Sequence, residues 1–297
     1  MIALAGTFAV ALMGRALLGI AEGVFWSFSI AVARRLVPEH AGHRATVMVL
    51  AGVSVGTVVG VPVGSALAVI AGWRLAFGSA ALISLAVLIL LSFLLPSLPG
   101  SQSTSVRSLL GLFRSRSLLI GYVLIGFSAA GHFAAYTYLQ PFLSDHARLG
   151  NAGLSWELVA YGVAGAAGTF LGERAASNNL QRTFLVVVVV LATAILLSPI
   201  VGSSVLVLVL VVLWGAAFGA IPVCTQLWTY RAAPQQLEAA SAFGMTVFQT
   251  AVAAGSFWGG VAFDSRGIPA TFQLGGSLVA LCVIAIVFSG TLGNELS

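Results

Sequence analysis

The stretch GTVVGVPVGSALAVIAGWR, residues 56–74, is apolar enough to cross a bilayer, yet it carries glycines at 56, 60, 64 and 72 and a proline at 62. In water a helix loses about 1 kcal/mol at a Gly and about 3 kcal/mol at a Pro, relative to Ala. What such residues do inside a hydrophobic run depends on what solvates the chain around them.

That solvent is lipid. Hydrophobic residues make up 59% of the 297-residue chain, charged residues only 7%, and the mean hydropathy is +1.07. A soluble domain carries roughly 25% charged residues, so this chain has no means to build a charged surface. Apolar runs long enough to span a hydrocarbon core recur along its length. Nine are expected, near 7–33, 45–69, 74–95, 118–142, 154–174, 183–201, 205–229, 238–262 and 271–291. The runs are continuous rather than alternating, which predicts helices and argues against a transmembrane barrel. The expected fold class is an all-α polytopic membrane protein.

The net charge of +5 does not point to nucleic acid, because the arginines are distributed by topology. Arg34, Arg35, Arg44, Arg107, Arg114, Arg116, Arg174, Arg182 and Arg231 fall in or beside alternate connections. Arg74, Arg148 and Arg266 fall on the opposite side, and Arg15 lies within the first run. The positive-inside rule makes the first group cytoplasmic, with the C-terminus cytoplasmic and Met1 outside. Cys224 and Cys282 lie inside expected spans and read as buried thiols rather than a disulfide. The opening MIALAGTFAVALMGR lacks a basic n-region and a small-residue cleavage site, so no signal peptide is expected.

The longest polar connection, PSLPGSQSTSVRSLLGLFRSRS at 96–117, reads as a cytoplasmic linker between three spans (1–95) and six (118–297). Sliding the chain against itself by 196 residues aligns Gly19 with Gly215, Gly23 with Gly219, Arg35 with Arg231, Pro38 with Pro234 and Gly64 with Gly260. The first three spans therefore read as copies of the last three. Counterparts of spans four to six would begin about 80 residues before Met1, and MIAL would be the tail of a missing span.

Four segments carry a resemblance to a known family. RALLGIAEGVFWS (15–27) is similar to the fourth-helix motif of the major facilitator superfamily, and GTVVGVPVGSALAVIAGWRLAF (56–77) to its fifth-helix antiporter motif. GHFAAYTYLQPFL (131–143) resembles the seventh helix of sugar-efflux members. GTFLGERAASNNLQRT (168–183) resembles a worn cytoplasmic loop motif, with Ser177, Asn178 and Asn179 where the family carries Asp and Gly. The chain thus resembles the twelve-span drug:proton antiporters, in particular the permeases that export sugars, purine nucleosides or chloramphenicol. The resemblance implies a major facilitator fold lacking about its first three helices, with nine spans remaining. It also implies proton-coupled efflux of a small organic molecule across the inner (plasma) membrane by alternating access, with no catalysis, cofactor or metal. The competing expectation is a truncated, inactive fragment or a start assigned too late.

The broken run now has a physical meaning. Gly52, Gly56, Gly60 and Gly64 recur every fourth residue along one slowly rotating helix face, where small residues let backbones approach closely in lipid. Pro62 removes a backbone hydrogen bond and invites a kink. The resemblance makes this helix a packing and gating element between the halves.

Arg15 and Glu22 form an acid–base pair within one span, two turns apart on one face. Charges in a membrane face a cavity or a partner. The resemblance links Arg15 to proton transfer, with Glu22 as a candidate proton carrier; the alternative is a snorkelling arginine and a fixed counter-charge. His132, Tyr136 and Tyr138 lie together in the fourth run, as substrate-cavity groups or as a packed, hydrogen-bonded histidine with its neighbours. Trp26, Trp228, Gln226 and Gln249 complete the cavity candidates, and an interfacial belt explains the tryptophans equally well. Two other patterns are weaker. GVSVG at 52–56 matches a hydrolase motif, and an intramembrane serine hydrolase using Ser54 and His132 is the distant alternative; that motif needs a strand–turn–helix elbow, and here it falls in a helix. His40 and His43 sit in a charged loop without Cys or paired acids, and read as solvated residues rather than metal ligands.

Overall fold

The computed structural model describes residues 1–38, 41–96, 112, 114–145 and 151–290. Among them the regular structure is helical, with no strand. The chain divides into two compact units, Met1–Ser105 and Val106–Ser297.

In the first unit, helix α1 spans Phe8–Arg35 and is capped by Thr7, whose side chain accepts from the Val10 amide at 3.4 Å. Helix α2, Gly42–Val55, runs into a π turn at Gly56–Gly60 and continues as α3, Val61–Ala71. The π turn ends two residues before Pro62, which has no amide to donate to Val58 four residues back. The ladder therefore shifts register there. Gly72, at φ +83°, ends α3 and opens α4, Trp73–Leu94. An L side chain rarely adopts that backbone conformation. Within this unit α1 packs on α2 and α3 on α4, and the Arg74 guanidinium donates to the Ala5 carbonyl at 2.9 Å.

The second unit contains α5 (Arg116–Tyr136), α6 (Leu139–Asp145), α7 (Asn151–Asn178), α8 (Leu180–Leu197), α9 (Ser204–Ala232), α10 (Leu237–Arg266) and α11 (Ile268–Gly290). Ser115, Asn179 and Ser203 cap α5, α8 and α9 by accepting amides of Leu118, Arg182 and Leu206. Helix α5 packs against α10, α11 and α9, α7 lies along α9, and α8 bridges α9 and α11. The core holds Trp214, Trp228, Phe142, Phe184 and Phe272, all fully buried.

Small residues set the close approaches. A Cβ at Gly215, Gly219 or Gly168 would run into the backbone of Tyr161, Gly165 or Ala216 across the α7–α9 contact. Gly255 and Gly259 of α10 sit equally tightly against Ala130 and Ala134 of α5. With no hydrophobic driving force between helices in lipid, such backbone proximity supplies the dispersion contacts that hold them together.

Six helical segments are long and apolar enough to cross a membrane by length and composition: Phe8–Trp26, Trp73–Leu94, Arg116–Tyr136, Leu180–Leu197, Ser204–Ala232 and Ile268–Val287. The other three expected runs are helical too, within 42–71, Asn151–Asn178 and Leu237–Arg266, but they mix polar and small residues into their apolar content. The expected run 118–142 is not continuous. Its helix ends at Tyr136 and restarts at Leu139, because Pro141 cannot donate to Thr137 and continue the ladder.

The internal repeat extends to helix boundaries. Phe8 and Ser204, the first residues of α1 and α9, are 196 positions apart, matching the sequence offset. Gly267, at φ +74°, joins α10 to α11 as Gly72 joins α3 to α4.

Candidate functional site

The second unit encloses a buried layer of aromatic rings centred on His132 of α5. The imidazole is fully enclosed. The indole Nε1 of Trp214, on α9, donates to His132 Nδ1 at 2.9 Å. An imidazole that accepts at Nδ1 is the neutral tautomer with its hydrogen on Nε2. Phe218 stacks on the imidazole with centroids 3.3 Å apart, and Tyr136 stacks on it at 5.0 Å. Phe133 meets it edge-on at 4.8 Å. The layer continues from Tyr136 to Tyr161 of α7 at 5.4 Å, and Tyr161 lies 6.3 Å from Trp214.

Local sequence explains the convergence. His132 and Tyr136 are one turn apart on α5, and Trp214 and Phe218 one turn apart on α9, so each helix presents a two-residue stripe. Gly215 brings the backbones of α9 and α7 together beside Tyr161. His132 and Trp214 are covered by the other rings, whereas Phe133, Tyr136 and Phe218 are half-buried, and the phenol of Tyr161 keeps an unused hydrogen-bonding group. This is recognition chemistry for a planar or ring-bearing solute.

Two polar atoms in this region lack partners. The Tyr161 hydroxyl and Glu157 Oε1 are buried and make no hydrogen bond among the described residues. Glu157 stands one turn before Tyr161 on α7 and is 7% exposed, as is Tyr161. Neither was singled out from the sequence. A signal for Glu157 was present: a lone acid in the apolar run GLSWELVAYG, where an ionisable residue is by default a functional candidate. Trp214 and Phe218 carried no comparable signal, since an aromatic among Val and Leu looks like packing.

The sequence-derived candidates fall in different places. Tyr138 stands apart from Tyr136, stacked on Phe263 of α10 at 4.6 Å. Gln226 and Gln249 are half-buried on α9 and α10. Trp228 is a packing residue: its Nε1 donates to the Ser117 carbonyl at 2.9 Å, away from the His132 layer. In the first unit Arg15 and Glu22 are both exposed on α1, with no ion pair between them among the described residues, and Trp26 is half-buried with its ring edge-on to Phe25. A Cβ at Gly52, Gly56, Gly60 or Gly64 would meet no described atom within 4 Å, and Pro62 follows the π turn. Ser54 lies within α2, so the elbow that a hydrolase nucleophile requires does not form there. His40, Arg107 and Arg148 lie outside the described residues. Cys224 and Cys282 are free and buried.

Residues 1–259 match the family model of the Major Facilitator Superfamily. The chain is 31% identical over 287 residues to the purine ribonucleoside efflux pump NepI of Escherichia coli (strain K12), covering 96% of this chain and 72% of that protein. The NepI proteins of Shigella dysenteriae serotype 1 and Salmonella paratyphi B are similar to it at 31% and 32% identity. Among solved structures, the transporter FucP in its outward conformation superposes with a TM-score of 0.59 at 17% identity, covering 89% of this chain and 72% of that one.

Proposed function

From the premise that the chain belongs to the Major Facilitator Superfamily, and is therefore an integral membrane transporter, we propose that it exports a small ring-bearing organic molecule, a purine ribonucleoside foremost, in exchange for protons. The observation that carries the substrate class is the aromatic layer around His132. Tyr136 and Phe218, half-buried rings of the layer, would stack on a nucleobase, and the unpartnered Tyr161 hydroxyl and, once the rings part, the imidazole would meet its polar edge and the ribose. The relatives named as purine ribonucleoside efflux pumps support the same class.

Transport proceeds by alternating access, with residues 1–95 and 118–297 as the two halves and 96–117 as the linker. Gly52, Gly56, Gly60, Pro62 and Gly64 form the packing and gating face of the first half. Arg15 and Glu22 couple the proton there, and Gln226 and Gln249 add polar contacts in the second half. The arginine distribution supports insertion in the inner (plasma) membrane with the C-terminus cytoplasmic. The end of the second unit where α5 finishes and α7 and α9 start is then the outer end.

The test is binding of tritiated inosine to the purified chain in lipid nanodiscs. Saturable binding that is lost in His132→Ala and Tyr136→Ala, and competed by adenosine and guanosine, is the expected result. Binding that both variants keep unchanged would remove the aromatic layer from the site.

A further inference from the structure

Glu157 remains unexplained by the substrate layer. Its Oε1 is buried without a partner on α7, and the next turn carries the equally unpartnered Tyr161 hydroxyl. Among the described residues the titratable groups around it are few. On its own helix, Tyr161 is one turn away, and Glu173 and Arg174 lie at the opposite end. From α9, the titratable groups are Cys224, Tyr230 and Arg231, all in the half remote from Glu157; from α8, only Arg182 at its first turn. From α6 it is Asp145, which is exposed; from α5 they are His132 and Tyr136, with Tyr138 just beyond its end. No ion pair to Glu157 exists among the described residues.

An isolated carboxylate in such surroundings is among the most costly groups a membrane protein can hold, whereas a carboxylic acid is tolerated. We propose that Glu157 is a proton-binding site of the second half, occupied by a proton in this conformation and emptied in another. It stands at the outer end of a ladder of polar edges: Glu157, Tyr161, Tyr136, His132 and Trp214. The ring spacings along it are 5.4 Å from Tyr161 to Tyr136 and 5.0 Å from Tyr136 to His132. The step is a protonation: the carboxylate takes one proton from water on the outer side, forming an O–H bond, and later returns it to water on the inner side. No other bond changes. The proton's role in driving export rests on the transporter proposal above; its binding to Glu157 does not.

The experiment is attenuated-total-reflection infrared difference spectroscopy on the purified chain in lipid, as the buffer pH is stepped upward. The expected result is a protonated-carboxyl stretch that bleaches in the unaltered chain, is absent in Glu157→Gln and is retained at a shifted frequency in Glu157→Asp. A band of full amplitude in Glu157→Gln, or an unshifted band in Glu157→Asp should the Gln variant not fold, would overturn the proposal. Inosine binding on the same samples separates the two claims: a Glu157-dependent band with no inosine binding upholds the proton site and removes the nucleoside.

Discussion

Helices α1 and α9 are related by the 196-residue repeat, yet they sit in different surroundings. In α9, Gly215 and Gly219 press on the backbone of α7, and Trp214, next to Gly215, reaches His132. In α1, a Cβ at the corresponding Gly19 or Gly23 would meet no described atom within 4 Å. The same contrast holds across the units. Eleven residues of Arg116–Tyr136 are buried, whereas no residue of Trp73–Leu94 is. The lesson is that a glycine pattern encodes a capacity for close packing. Whether that capacity is used depends on a neighbouring helix, and for α9 that neighbour is α7.

Filling repeat-related glycines tests this dependence on a neighbouring helix. Gly215→Val is expected to destabilise the fold by about 3 kcal/mol, because the new side chain meets the Tyr161 backbone. Gly19→Val should change stability by under about 0.5 kcal/mol. Thermal unfolding in detergent checks both, and equal effects would dissolve the contrast.

Tryptophans offer the next test. Trp214→Phe strands the buried His132 Nδ1 and should cost about 2 kcal/mol. Trp26→Phe, at a half-buried site, should cost under about 0.5 kcal/mol. The same unfolding measurement applies.

A functional test separates the first unit from the second. Arg15→Ala should reduce proton-driven export at least about tenfold, the scale of a typical coupling free energy, while leaving inosine binding and folding intact. Unchanged export would refute that role for Arg15.

The smallest expected effect has the opposite sign. Tyr161→Phe removes a buried hydroxyl without a partner, so stability should stay level or rise by up to about 1 kcal/mol while inosine affinity falls. A stability loss would mean that the hydroxyl is bonded after all.

Much of this architecture was legible in the residues. Continuous apolar runs gave the helices, because lipid admits few other spanning structures. The pairs Gly19–Gly215 and Arg35–Arg231 gave a repeat that the helix boundaries follow. The break before Pro141 was missed, because the apolar content of 118–142 runs straight through it, although a proline stops the ladder four residues earlier. The site was less legible. His132 and Tyr136 are neighbours in sequence, but Trp214, Phe218 and Tyr161 join them only through packing of α5, α7 and α9. Periodicity along one helix contains no information on which face meets which partner. Tyr138 shows the converse: two residues from Tyr136, it stacks on Phe263 because the helix ends between them.

Proton-driven export is read most directly as uptake of tritiated inosine into everted membrane vesicles from cells expressing the chain, with an imposed pH gradient, acid inside. Accumulation that collapses when a protonophore is added and is absent in His132→Ala is the expected result. Uptake no greater than in vesicles without the chain would rule out proton-driven inosine export.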